Sequence, residues 1–347
     1  MPLGTNNTTI TTAANFIPEM WSDETVAAYK AKLVLGNLVK KISFKGKRGD
    51  TLHIPNPARG SASAKVANTQ VTLVADTSAD IAVLINKWFE YSYLFEDMAD
   101  IQSLSSMRSF YTDAAGYGLS RRIDQDLHLL GAGFNAGTIA TATALYEKGV
   151  IGGDGTTLFS GSASTNTGNG TALTDAALRK MIQTLEDADV DSSQCKIVMP
   201  PVEAAVLRGI SRFTEQAFVG NGEAIKTGVM GMLYGLEVYV SSNCPWIHVN
   251  SVTGTQSVTF TSAAPTGASF VDEFGLTVDW NTTSPTDTKY RAGLVLHKDA
   301  MCLAEQTGIR TQSQYKQEYL GTLVTADTIY GVKELRDNAA VAFIMPA

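Results

Sequence analysis

Asn15-Phe-Ile-Pro-Glu-Met-Trp-Ser-Asp-Glu24, Leu33-Val-Leu-Gly-Asn-Leu-Val39 and Lys45-Gly-Lys-Arg-Gly-Asp-Thr-Leu-His-Ile-Pro55 follow one another near the start of the chain. Phe16, Ile17, Met20 and Trp21 concentrate apolar area in a few positions, and Pro18 limits the backbone between them. Ser22 or Asp23 can cap a short helix running to Leu35. From Asp50 the pattern alternates, with Leu52 and Ile54 on one side and Thr51, His53 and Pro55 on the other, as in a half-buried strand. An apolar anchor, a helix-like stretch and a basic, glycine-hinged strand come in order, with nothing resembling a catalytic site. An exposed arm carrying Trp and Phe is a liability in a monomer and is expected to lie across another subunit.

Working outward, the strand pattern runs from Ile42 to Lys87. Pro57 argues against a central sheet position, and Val71-Thr-Leu-Val74 and Ile81-Ala-Val-Leu-Ile85 resume the alternation, giving a long hairpin with a polar tip. Residues 97–134 hold the strongest helical period, through Ile101, Leu104, Met107, Tyr111, Leu119, Ile123, Leu127, Leu130 and Phe134. A helix of about 35 residues spans roughly 50 Å, the length of a spine rather than of a packing helix. Gly116 and Gly118 weaken it and suit a kink or close packing. Arg121, Arg122, Asp124 and Asp126 are expected largely on its outer face.

Gly131 to Gly170 reads as a loop or hairpin insertion, and Thr174 to Val190 as an amphipathic helix capped by Thr174 or Asp175. Lys196–Met199 is a short buried strand, and Pro201 opens a second helix. Leu236–Ser242 alternates as a strand, 246–290 is Thr/Ser-rich and β-like, and strands are expected at Leu294–His297, Met301–Ala304 and within Val332–Met345. The class is α+β.

The chain has 347 residues, 44% of them hydrophobic and 18% charged, and a net charge of −7. That composition is folded rather than disordered, and the charge gives the whole molecule no attraction for phosphate backbones. Lys40, Lys41, Lys45, Lys47 and Arg48 cluster without interleaved aromatics, so they suit a solvated loop or acidic neighbours better than a nucleic-acid site. Cys195, Cys244 and Cys302 are odd in number and far apart, which fits reduced, buried thiols. The N-terminus lacks the features of a signal peptide and no run is apolar enough for a membrane span, so the expected protein is neither exported by the usual route nor embedded in a bilayer.

Catalytic motifs are weak throughout. The four histidines are widely spaced without a His-Glu-x-x-His pattern. Asp97 and Asp100 suit helix capping, while Asp124 and Asp126 diverge by about 200° around a helix. Gly149-Val-Ile-Gly-Gly-Asp-Gly155 lacks the Gly-Lys-Ser/Thr ending of a phosphate loop. The run Gly228-Val-Met-Gly-Met-Leu-Tyr-Gly-Leu-Glu-Val-Tyr-Val-Ser241 places glycine turns ahead of a strand.

Phe16-Ile-Pro-Glu-Met-Trp-Ser22, Gly49-Asp-Thr-Leu-His-Ile-Pro55, the helix around Arg122-Ile-Asp-Gln-Asp-Leu127, the Gly228–Ser241 run and Tyr330-Gly-Val-Lys-Glu-Leu-Arg-Asp-Asn-Ala-Ala-Val341 come in this order. Together they resemble a major capsid protein of tailed bacteriophages with the Hong Kong 97-type coat fold. The resemblance implies an N-terminal arm at 1–40, an extended hairpin loop at 41–90, and a peripheral domain with its spine helix at 91–135. A glycine-rich insertion at 136–171 and an axial domain at 172–300, with an inserted β-rich subregion at 246–290, follow. C-terminal strands at 301–347 return to the peripheral domain.

The implied function is that of a non-enzymatic structural subunit, without cofactors or metals, self-assembling as hexamers and pentamers into an icosahedral head. The head encloses double-stranded DNA without sequence-specific binding, and scaffolding and portal proteins are the expected partners, the scaffold as a separate protein. The protein is expected in the virion, made in the host cytoplasm, with no membrane contact. Expected subunit-interface residues are Phe16, Ile17, Met20 and Trp21 on the arm, and Lys45, Lys47, Arg48, Leu52, Ile54 and Arg59 on the hairpin. Alternatives are an encapsulin-like nanocompartment shell and, from another class, a cytoplasmic enzyme binding an anionic substrate at the 149–155 glycine loop.

Overall fold

The computed structural model describes residues 33–43, 49–56, 62, 64–71, 79–98, 107–134, 151–156, 159, 161–162, 167–168, 170–210, 232–252, 255–261, 269–271, 277–279 and 290–346. In chain order these form α1 (Leu35–Leu38), β1 (Lys40–Ser43), β2 (Thr51–Asn56), β3 (Ala79–Leu84), β4 (Lys87–Glu96) and the spine helix α2 (Met107–Gly131). Then come β5 (Gly161–Ser162), β6 (Thr167–Gly168), α3 (Asp175–Asp187), β7 (Lys196–Met199), α4 (Pro201–Arg208), β8 (Met232–Leu233) and β9 (Leu236–Val240). The chain continues through β10 (Trp246–Val252), β11 (Thr255–Thr261), β12 (Ser269–Val271), β13 (Thr277–Asp279), β14 (Tyr290–Leu296), β15 (Met301–Lys316), β16 (Gly321–Glu334) and β17 (Ala340–Pro346).

Local chemistry explains several boundaries. The Thr174 hydroxyl accepts from the Ala177 N–H at 3.3 Å, capping α3, whose Leu178, Met181 and Leu185 turn inward. Pro201 occupies the opening turn of α4, where its missing N–H costs nothing. Tyr234 and Gly235, at φ 49° and 85°, make the left-handed two-residue turn that joins β8 to β9.

Two sheets share the spine helix. The smaller runs β1-β15-β16-β4, and the larger β11-β10-β14-β7-β9-β8. β14 is buried along its whole length and pairs with β17 from Tyr290 to Leu296, while β7 and β10 take opposite ends of it. The main core gathers around this larger sheet and includes Leu127, Phe134, Met181, Val295 and Phe343. A satellite of Ala115, Leu119 and Ala326, with Phe89 against it, lies where α2 meets the smaller sheet. The helix is therefore covered on two sides.

Several expectations change here. Asp124 and Asp126, expected on an outer face, are 1% and 2% exposed. The 3.6-residue period shows which side chains share a face, not how many faces are covered. The described helix ends at Gly131, so Phe134 enters the core from the turn that follows. A Cβ at Gly116 or Gly118 would meet no atom within 4 Å, so close packing is not their role.

β4 was not expected as a strand of its own, yet Phe89, Tyr93 and Phe95 alternate with Trp88, Glu90 and Ser92 along it. The strand expected at Met301–Ala304 extends to Lys316 and returns as β16, a hairpin too rich in Thr, Gln and Ser to announce itself. β15 and β16 lie in the smaller sheet, whereas β17 joins the larger one by pairing with β14. Residues 22–32 of the expected helix lie outside the described residues; Leu33 and Val34 are not helical, and α1 begins only at Leu35, where the helix was expected to end.

Candidate subunit-contact surface and the polar clamp behind it

The β2–β3 hairpin is a sheet of two strands in which Thr51 faces Leu84 and Asn56 faces Ala79. Beyond it, every described residue of 64–71 is exposed, including Val66 and Val71. Lys65 ties that turn internally, donating to the Val66 carbonyl at 2.7 Å and to the carbonyl of Thr69. His53 and Asp80 pair on the hairpin's solvent face.

Of the expected interface residues, Leu52 and Ile54 are described. They are half-buried and pack at the hairpin base with Val83, Ile85, Cys302 and Ala304 of their own chain. Phe16, Ile17, Met20, Trp21, Lys45, Lys47, Arg48 and Arg59 lie outside the described residues.

The hairpin is anchored where it crosses β16. A Cβ at Gly331 would sit 2.2 Å from the Leu84 carbonyl oxygen, so only glycine admits this approach. The Ile85 N–H donates to the Asp50 carbonyl at 2.7 Å, closing the base.

The smaller sheet offers one face to the spine helix and the other to solvent. Tyr93 and Phe95 pack against Tyr111 of α2 in tilted and edge-on geometry, with ring centroids 4.8 and 5.5 Å apart. On the open face Trp88 is 70% exposed, yet its indole N–H donates to Asp327 at 3.3 Å. Arg310 grips the same carboxylate at 2.7 and 2.9 Å. The hydrogen bonds from Arg310 hold the Asp327 carboxyl below the usual range despite its partial desolvation. Tyr315, Tyr319 and Leu320 are exposed at the end of the β15–β16 hairpin.

Behind these surfaces the spine helix carries two buried carboxylates. Asp124 accepts the backbone N–H groups of Val34 at 3.1 Å and Gly36 at 3.3 Å, and the Asn243 amide at 2.8 Å. His128 stands 3.5 Å away on the same helix and meets the Ser241 hydroxyl at 3.3 Å. Burial pushes the Asp124 carboxyl up, but the hydrogen bonds and charge from His128, with Asn243 and Gly36, outweigh it and hold it below its ordinary value. Asp126 takes the Lys87 ammonium at 2.7 Å and the Tyr330 hydroxyl at 2.7 Å, with Arg122 3.4 Å away. Burial and the Asp126 charge drive the Tyr330 phenol far above its usual value, so it stays a donor. Arg122 also lies 4.6 Å from the Phe89 ring centre.

The glycine loop has a packing role. At Gly153, φ is +88° and a Cβ would fall 1.9 Å from the Thr171 carbonyl oxygen. The loop's Gly152 and Gly153 carbonyls accept the N–H groups of Thr171 and Thr174 at 2.8 and 3.1 Å. Its described part thus presents acceptors to the chain's own backbone, where a phosphate cradle would turn donors outward. Among the described residues no group of His, Cys, Asp and Glu could hold a metal ion, and no helix is long and apolar enough to cross a membrane.

Sequence reasoning missed Trp88, Arg310 and Asp327, and misplaced Asp124 and Asp126. The alternation in Lys87–Glu96 was a usable signal for Trp88. Nothing local marks partners 90 or more residues apart, such as Val34 with Asp124 or Trp88 with Asp327.

The described architecture is a helix-backed β-sheet beside a larger sheet, with a separate two-stranded hairpin at the base. The sequence pattern of a family described as "Phage capsid protein" matches residues 83–296. A comparison with curated protein sequences found no match. Solved structures with the same fold include Mycobacterium phage Che8, at 19% identity and a TM-score of 0.64, over 95% of this chain and 97% of that one. The capsid of cyanophage P-SCSP1u is similar at 18% identity and a TM-score of 0.67, over 98% and 96%. The head of Helicobacter pylori bacteriophage KHP40 gives 12% identity and a TM-score of 0.61, over 99% of each. This chain belongs to the phage capsid protein family and is a major capsid protein, a structural subunit of the phage shell.

Proposed function

We propose that the subunit closes into an icosahedral head by lending its outward-reaching segments to neighbouring copies, as hexamers and pentamers around packaged double-stranded DNA. The carrying observation is the β2–β3 hairpin, which pairs with no other described strand and continues into residues 64–71, all exposed where described. Exposed apolar side chains such as Val66 and Val71 lose contact with water when a second copy covers them, at about 25 cal/mol per Å². Each such contact is weak, and a closed array sums them.

In this reading the arm residues Phe16, Ile17, Met20 and Trp21 anchor on a neighbour. Lys45, Lys47, Arg48 and Arg59 add polar contacts around the hairpin, and Leu52 and Ile54 support it from their seat at its base. The chain works without catalysis, is made in the host cytoplasm, and meets scaffolding and portal proteins during assembly. Its net charge of −7 keeps DNA from adhering to the wall.

The test is to express the chain with and without its co-encoded scaffold and image the products by negative-stain electron microscopy. Closed shells or curved sheets of hexamers are expected. Small discrete particles under both conditions would overturn the reading.

A further inference from the structure

One turn of the spine helix sends two carboxylates in nearly opposite directions. Asp124 and Asp126 are two residues apart, about 200° around the helix, and both are almost wholly buried. On one side Asp124 takes the Val34 and Gly36 N–H groups at the mouth of α1, together with Asn243 from the turn after β9. On the other, Asp126 takes Lys87, which opens β4 three residues beyond the end of β3, and Tyr330 of β16. Each carboxylate therefore ties one described segment, the start of α1 or the base of the hairpin, to the same helix.

Two physical points follow. Apolar packing resists separation but tolerates sliding, whereas a charge gripped by several donors fixes direction as well as distance. Buried charged groups add little net stability compared with apolar substitutes of equal volume, so stability alone is a poor account of two buried carboxylates in one turn. Direction matters here because levers magnify it. A strand of six residues is about 20 Å long. Tilting such a strand by about 10° at its base moves its far end by about 3.5 Å, which is one residue of register.

Resting on the reading that this chain builds a closed shell, we propose that Asp124 and Asp126 are positioning residues for assembly. They set the angles at which the arm end and the hairpin leave the spine helix, and so the curvature that adjoining subunits adopt.

The experiment uses the full chain, with scaffold where assembly requires it, as wild type and as Lys87→Met, Lys87→Arg and Asp124→Asn. Thermal unfolding of the subunit and particle diameters by electron microscopy are both recorded. Lys87→Met and Asp124→Asn should leave a cooperative unfolding transition but broaden one diameter class into mixed sizes or open sheets. Lys87→Arg, which keeps the charge, should restore the single class. Closed shells of wild-type diameter from both Lys87→Met and Asp124→Asn would overturn the proposal, whatever their melting temperatures.

Should those variants not fold, hydrogen exchange on the wild-type subunit decides. The Val34 and Gly36 amides should exchange at least about a hundredfold more slowly than unprotected amides. Unprotected rates would overturn the clamp. Failure of the wild type itself to form shells would count against the coat reading instead, so the two failures are distinguishable.

Discussion

Single residues here carry sharply different duties. Gly331 exists to let the hairpin base cross β16, since a Cβ there would fall 2.2 Å from the Leu84 carbonyl oxygen. Gly331→Ala should destabilise the subunit by about 1–3 kcal/mol, the usual range for overpacking, as read by denaturant unfolding. The cysteines are the opposite case, inert by design of their surroundings. Burial lifts the Cys195 thiol to about 11 and the Cys244 thiol to about 12, and raises Cys302 as well. Dithionitrobenzoate should therefore label none of the three in the native subunit at pH 8 and all three in denaturant.

Asp124 gives the residue scale its pH dependence. Its folded carboxyl is held below the ordinary carboxylate value, so its stabilisation is fully present above that value and is lost as pH falls through the folded one. The melting temperature should change little through this group between pH 7 and about pH 5, then fall below about pH 4. Asp124→Asn should remove part of that fall; an identical acid profile in the variant would show that the clamp does not carry it.

At the scale of elements, the hairpin is separable from the fold that holds it. Its strands close on each other from Thr51–Leu84 to Asn56–Ala79, and the described residues 64–71 touch solvent throughout. Replacing residues 57–78 by Asn-Gly, the two-residue turn that matches strand twist, should leave the subunit's melting temperature within about 2 °C of wild type. The same change should abolish closed shells in the electron micrographs. Retained assembly would mean that the hairpin's outer part is not a contact. The spine helix is not separable in this way, because both sheets and both buried carboxylates depend on it.

Across the whole molecule, two sheets of different character share one helix. The larger sheet packs into the main apolar core, and its β14 is buried end to end. The smaller one leaves Trp88, Tyr319 and Leu320 in solvent. A protein that ended its work as a monomer would gain by covering such area; one that joins an array leaves it for its neighbours. Static light scattering across a concentration series should show the subunit's mass rising steeply once assembly conditions are met, rather than staying at one chain.

The sequence by itself determined the class and the order of parts. The period of α2, the alternation at Thr51–Ile54, the Thr174 cap and the Pro201 helix start were readable because each is a local rule acting within a few residues. The family resemblance was readable because ordered motifs survive along the chain. Only the tertiary structure decided that Asp124 and Asp126 turn inward, that Leu52 and Ile54 first serve their own chain, that β15 and β16 form one long hairpin, and that β17 crosses to the larger sheet. Those outcomes depend on which surfaces meet once the chain has folded, across separations as different as a few residues at the β15–β16 turn and 204 between Asp126 and Tyr330. Local periodicity states which side chains share a face, and it carries no information about how many faces a second element will cover.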